Sequence, residues 1–136
     1  MLDTLQAGSK LNSPYPTKNI FIVDDSQSVR VAMRLAIESC TNFRVCGEAS
    51  HGAEAVSKAQ PLHPDAVVMD LAMPEMNGME AANLLKKRMP EVQIALFTIY
   101  ADEVNIPLSS AFGVSKVLSK SDGFEPLVEW LNGILG

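Results

Sequence analysis

Five polar residues of this 136-residue chain stand where chemistry could be done. Asp24 and Asp25 follow the apolar run Ile20-Phe21-Ile22-Val23, and Asp70 follows Ala66-Val67-Val68-Met69. Thr98 follows Ile94-Ala95-Leu96-Phe97, and Lys120 lies just past Lys116-Val117-Leu118. Short, wholly apolar runs are expected of strands buried on both faces of a parallel sheet, so each polar residue marks a strand end. Ligands of such sheets bind beyond the carboxyl ends of the strands, where these five are expected to converge. Three adjacent carboxylates repel one another, and a raised pKa or a bound cation relieves the repulsion. An oxygen-only set suits Mg²⁺, which takes about six oxygens near ~2.1 Å. Lys120 and Thr98 add a fixed positive charge and a hydroxyl donor, both suited to phosphoryl oxygens. Singly, each acid is an ordinary helix cap, Thr98 a strand-end threonine and Lys120 a surface lysine with an exposed ammonium. Their joint occurrence at four strand ends is what points to a site.

The intervening sequence supplies the elements that hold those ends. Val29, Ala32, Met33, Ala36, Ile37 and Cys40 recur at helical spacing on one face, with Arg30, Arg34 and Glu38 opposite and Asp25 or Ser26 as cap. Residues 43–49 alternate as an edge strand, and 52–59 form a short helix broken before Pro61 and Pro64. A strand over 65–70 leads through Met73-Pro74-Glu75-Met76-Asn77-Gly78 to a helix over 79–89, with Lys86, Lys87 and Arg88 complementing its dipole and Pro90 stopping it. A strand over 92–98 follows. The next helix is expected to start late, with Asn105 as cap and Pro107 in its first turn, or else to be kinked. A fifth strand at 116–118 and a closing helix over 124–135 complete an α/β pattern, a doubly wound five-stranded parallel sheet of (βα)5 type.

Composition narrows the functions open to such a fold. The length fits one domain, and 47% hydrophobic with 20% charged residues suffices for a core. Eleven Lys+Arg against sixteen Asp+Glu give a net charge of −5 and a pI near 4.9, which excludes a basic face for nucleic acid. No apolar run approaches the ~20 residues of a membrane span, and the start lacks a signal pattern, so a cytoplasmic protein with no membrane partner is expected. Residues 1–17, ending near Ser13-Pro14-Tyr15-Pro16, read as a flexible leader to a domain over 18–136. Cys40 and Cys46 read as reduced, mostly buried thiols. Neither G-x-x-x-x-G-K-[ST] nor G-x-G-x-x-G occurs, and Asp24-Asp25 would repel a flavin phosphate.

Four phrases, Val23-Asp24-Asp25-Ser26, Met69-Asp70-Leu71-Ala72-Met73-Pro74-Glu75-Met76-Asn77-Gly78, Phe97-Thr98 and Lys120, occur in this order and spacing. From about residue 18 to 135 the chain thereby resembles the receiver domains of bacterial two-component response regulators, most closely those carrying a helix-turn-helix output domain. The resemblance implies a flavodoxin-like sheet of strand order 2-1-3-4-5. It further implies that Asp70 accepts a phosphoryl group from a sensor histidine kinase, a phosphotransfer protein or a small acyl phosphate. Asp25, Asp70 and the Ala72 carbonyl would bind Mg²⁺ directly, Asp24 would assist through water, and Thr98 and Lys120 would grip the phosphoryl oxygens. The implied role is a switch that changes its surface toward a downstream output partner, rather than a turnover enzyme. A dimer through the face of the fourth helix, fifth strand and last helix is one arrangement the resemblance allows. Three positions depart from the usual pattern: Val117 replaces an aromatic residue, Ser121 a proline, and Ile99 a small residue that leaves access to Asp70 wider. Two other readings remain. A Mg²⁺-dependent phosphatase of haloacid dehalogenase type would need Asp-x-Asp on strand one and a cap domain, and neither is present. A pseudo-receiver serving only as an interaction module is the other.

Overall fold

The computed structural model describes residues 17–136, and the leader expected over 1–17 lies, but for Thr17, outside them. Five strands, β1 (Asn19–Val23), β2 (Arg44–Ala49), β3 (Ala66–Met69), β4 (Gln93–Thr98) and β5 (Lys116–Ser119), form one parallel sheet in the order β2-β1-β3-β4-β5. Helices α1 (Gln27–Cys40), α2 (Gly52–Leu62), α3 (Gly78–Arg88), α4 (Ile106–Ala111) and α5 (Glu125–Leu135) connect and close it. The expected α/β class, strand order and flavodoxin-like winding are those observed.

The apolar runs become strands because both of their faces are covered. Ile20, Ile22, Val68, Ala95 and Phe97 pack with Met33 and Ile37 of α1 and with Leu127 and Leu131 of α5. Phe21, Val23, Val67, Met69, Ile94 and Leu96 face Ala55 and Ala59 of α2 and Leu85 of α3. Every strand residue from Ile20 to Val23 and from Ala66 to Met69 is fully buried, which is why no polar alternation marks these strands.

Local signals set the helix ends. Ser26 caps α1 by accepting the Val29 N–H, and Asn77 with Glu80 forms a reciprocal capping box at the start of α3. Asn105 caps α4 and accepts the Leu108 N–H, with Pro107 in the first turn, so the fourth helix starts late as expected. Two expectations are corrected. Helix α2 continues through Pro61 to Leu62 and stops at His63, whose φ of 48° is left-handed. A proline this close to the end forfeits little of the helical ladder, so the terminal turn survives it. Cys40 is exposed and Cys46 half-buried, rather than both buried. The inward stripe of α1 ends at Ile37, whose carbonyl accepts both the Thr41 N–H and the Thr41 hydroxyl.

Candidate functional site

The parallel ladder delivers the acids to one place. Val23 pairs with Met69, and one step further the Asp70 N–H donates to the Val23 carbonyl at 3.0 Å. Asp24 continues on the other side, its N–H donating to Ala49 at 3.1 Å, while its Oδ1 accepts the Ser26 N–H at 2.9 Å. Asp24 and Asp70 are only 1% and 7% exposed, whereas Asp25 is exposed. One carboxylate oxygen from each of Asp24, Asp25 and Asp70 lies within 4.8 Å of the others.

Lys120 opens a short 3₁₀ turn directly after β5 and reaches back across the strand ends. Its Nζ donates to Asp24 Oδ2 at 2.6 Å and to Asp70 Oδ2 at 3.3 Å. The ammonium expected to be exposed is therefore enclosed, with its side chain 18% exposed, because two buried carboxylates leave a lysine at this point a more favourable partner than water. Burial alone would pull its proton affinity down. The hydrogen bond and charge of Asp24, together with those of Asp70, outweigh this and hold the ammonium above its ordinary range. Asp70 is pushed up from the ordinary carboxylate range, first by burial and further by the Asp24 charge, although Lys120 and the Ala72 N–H oppose the rise.

Thr98 is fully buried at the end of β4, the next strand, and its Oγ1 accepts the Tyr100 N–H at 3.1 Å. Ala72 is exposed in the loop after Asp70. That loop is tied by the Gly78 N–H, which donates to the Leu71 carbonyl at 2.8 Å. The structure thus brings Asp24, Asp25, Asp70 and Lys120 together and sets Thr98 and Ala72 on the neighbouring strand end and loop. Its all-oxygen acid set, with two of the three acids buried, fits a small hard dication such as Mg²⁺.

Sequence reasoning missed one residue of this neighbourhood. Arg30, expected on the solvent face of α1, has a side chain 15% exposed, and its Nη1 donates to the Asp24 carbonyl at 2.5 Å. Its Nε donates to Glu48 Oε1 at 2.7 Å, and Arg34 Nη2 donates to Glu48 Oε2 at 2.8 Å. Both guanidinium groups hold the Glu48 carboxyl below its usual range. Two arginines four residues apart on one helix repel unless an acid from elsewhere joins them, and that was the available signal.

The raised proton affinity of Asp70 has a consequence for stability. A carboxyl whose folded pKa exceeds its unfolded one opposes folding once ionised, and the penalty vanishes as pH falls below the unfolded value. Asp70→Asn is expected to stabilise the metal-free chain at neutral pH, because it removes a buried charge whose ionisation opposes folding. Urea unfolding in EDTA at neutral pH and near pH 4 checks this; the gain should shrink at the lower pH.

Comparison with known proteins agrees with this geometry. The family model described as response regulator receiver domain matches residues 20–132. Response regulator protein VraR of Staphylococcus aureus is 28% identical over 113 residues, covering 83% of this chain and 54% of that protein, so the chain spans about half the length of the curated relatives it matches. A LuxR-family two-component response regulator from Aurantimonas aligns at TM-score 0.80 and 30% identity, covering 88% of this chain and 86% of that one. Response regulator TrrA from Thermotoga maritima, solved with Mg²⁺ and a beryllium fluoride, aligns at TM-score 0.78 and 28% identity, covering 88% and 100%.

Proposed function

The chain belongs to the response regulator receiver domain family, and from that premise we propose that it is a phosphorylation-controlled switch with Asp70 as phosphoacceptor. The observation that carries this reading is the buried, proton-avid Asp70 carboxylate bridged through Lys120 to Asp24 across neighbouring strand ends. In this reading an Asp70 oxygen attacks the phosphorus of a phosphohistidine or a small acyl phosphate. The new O–P bond forms as the bond to the donor nitrogen or oxygen breaks, and the leaving group takes the electron pair and, where it needs one, a proton. Asp25, Asp70 and the Ala72 carbonyl would hold Mg²⁺, with Asp24 assisting through water. When bound, the ion neutralises charge between the carboxylates and the incoming phosphoryl oxygens. Lys120 turns from the carboxylates toward a phosphoryl oxygen, and the Thr98 hydroxyl donates to another.

A kinase or phosphotransfer protein as donor, an output domain or protein as receiver of the signal, and a cytoplasmic location belong to the same proposal. Support for them comes from the response regulators to which the chain is similar. Among the described residues no helix is long and apolar enough to cross a membrane. The phosphatase alternative loses its support, since strand one ends in Asp24-Asp25 rather than Asp-x-Asp. Val117 on β5 cannot sweep between exposed and buried positions as an aromatic ring does. The switching segment is therefore assigned to residues 101–106, from the 3₁₀ turn Ala101–Glu103 through the extended Val104 to the entry of α4, where the helical ladder is interrupted.

Borohydride reduction after treatment with acetyl phosphate and Mg²⁺ should convert position 70, and no other, to homoserine, as mass mapping reads directly; phosphate on Ser, Thr or His would contradict the assignment. The phosphoryl group should also be long-lived. Ala72 offers no side chain to orient an attacking water, and the Tyr100 ring, two residues past Thr98, would lie over the site and exclude it. Ala72→Asn with Tyr100→Glu is expected to speed loss of phosphate about 5- to 150-fold, equivalent to roughly 1–3 kcal/mol of barrier. Decay of the labelled protein followed by intact mass checks this, and an unchanged rate would reject water exclusion.

A further inference from the structure

We infer that Arg30 is a positioning residue for the acid cluster: by gripping the peptide carbonyl between Asp24 and Asp25 it sets the relative orientation of their two carboxylates. The inference rests on the reading of those acids as Mg²⁺ ligands.

The geometry starts from an interrupted ladder. Strand β1 ends at Val23, and Asp24 is buried at the point where regular pairing stops. A buried peptide carbonyl there needs a donor, or it bears the cost of desolvation. Arg30 Nη1 supplies the donor at 2.5 Å. That carbonyl belongs to the peptide plane joining Asp24 to Asp25, so holding it fixes ψ of Asp24 and φ of Asp25, the two backbone angles that lie between the side chains. The remaining atoms of Asp24 are held by Ala49, Ser26 and Lys120, whereas Asp25 is exposed and takes its direction from this plane.

The guanidinium is itself fixed. Glu48 on β2 accepts from Arg30 Nε, and its second oxygen is occupied by Arg34. A planar fork held at Nε has little freedom left at Nη1, which makes Arg suited to hold a carbonyl where a lone ammonium would wander. Supporting groups of this kind orient metal ligands without touching the metal, and their loss typically costs about 10–100-fold in affinity.

Arg34 separates this role from a purely structural one. It pairs with the same Glu48 and donates to the Val45 carbonyl, so it also ties α1 to β2, but it donates nothing to Asp24. The test is titration of MgCl₂ alone into the full chain by calorimetry, with urea unfolding measured alongside, for wild type, Arg30→Met, Arg30→Lys and Arg34→Met. Arg34→Met should bind Mg²⁺ within about twofold of wild type, while Arg30→Met binds about tenfold or more weakly, as expected for loss of a supporting group. Arg30→Lys should fall between them, since it keeps a donor for the carbonyl but cannot hold Glu48 at the same time. It also stands in if Arg30→Met fails to fold. Acetyl phosphate labelling of the Arg30 variant should be slow at low Mg²⁺ and recover at saturating Mg²⁺. Equal affinities for the Arg30 and Arg34 variants would overturn the inference alone. A wild-type chain that takes up no Mg²⁺ would overturn the phosphoacceptor reading and this inference with it.

Discussion

Replacing Lys120 by alanine is expected to destabilise the chain in EDTA by about 3 kcal/mol, because breaking a buried ion pair on one side leaves an uncompensated charge. The sequence alone suggested that folding would stay nearly intact and only the response to phosphorylation would be lost, on the premise of an exposed ammonium. The observed contacts at 2.6 Å and 3.3 Å to two buried carboxylates reverse that expectation. The same contacts place Lys120 on oxygens that a cation would need. Its removal should therefore tighten Mg²⁺ binding, and excess Mg²⁺ should restore much of the lost stability by mass action. Urea unfolding with and without Mg²⁺ reads both effects. Loss of stability that Mg²⁺ does not repair would mean that the lysine and the ion do not share a site.

Gly78→Ala is the second large effect expected. A Cβ at this position would lie 2.4 Å from the Asp70 carbonyl oxygen, 2.9 Å from a methyl of Leu96 and 3.0 Å from the Leu71 Cα. Two of these are backbone atoms, so the start of the loop after Asp70 must move. Overpacking of this kind costs about 1–3 kcal/mol, and a displacement of about 1 Å at a reacting group can cost roughly 100-fold in rate. The labelling rate should fall well beyond what the stability loss accounts for. Gly133→Ala is the control. Nothing lies within 4 Å of the Cβ it would add inside α5, and a gain of about 0.5–1 kcal/mol is expected from helix propensity. Thermal unfolding and labelling of the two variants side by side check the contrast.

What the sequence made legible follows from local rules. Ile20 to Val23 and Ala66 to Met69 are strands buried on both faces, and the acids that follow them cannot be anywhere but at the carboxyl edge of the sheet. Asn105 and Pro107 announced the late start of α4 for equally local reasons. The setting of Arg30 was not legible, since it depends on strand register. Residues 43–49 read as a simple alternation, yet the pairing of β1 with β2 shifts between Ile20 and Phe21, so that Val45 and Gly47 are matched and Cys46 is skipped. A one-residue shift turns side chains to the opposite face, and after it Ile22 is paired with Glu48. The enclosure of Lys120 was hidden for a similar reason: its partners lie 96 and 50 residues away.

In the proposed switch, Asp70 takes a phosphoryl group with the help of a divalent ion. Intact mass after incubation with acetyl phosphate, with Mg²⁺ and with EDTA, on wild type and Asp70→Asn, tests it most directly. A single phosphoryl group is expected on wild type with Mg²⁺, almost none in EDTA, and none on Asp70→Asn under either condition. Undiminished labelling of Asp70→Asn, or labelling of wild type that is equally fast in EDTA, would contradict it.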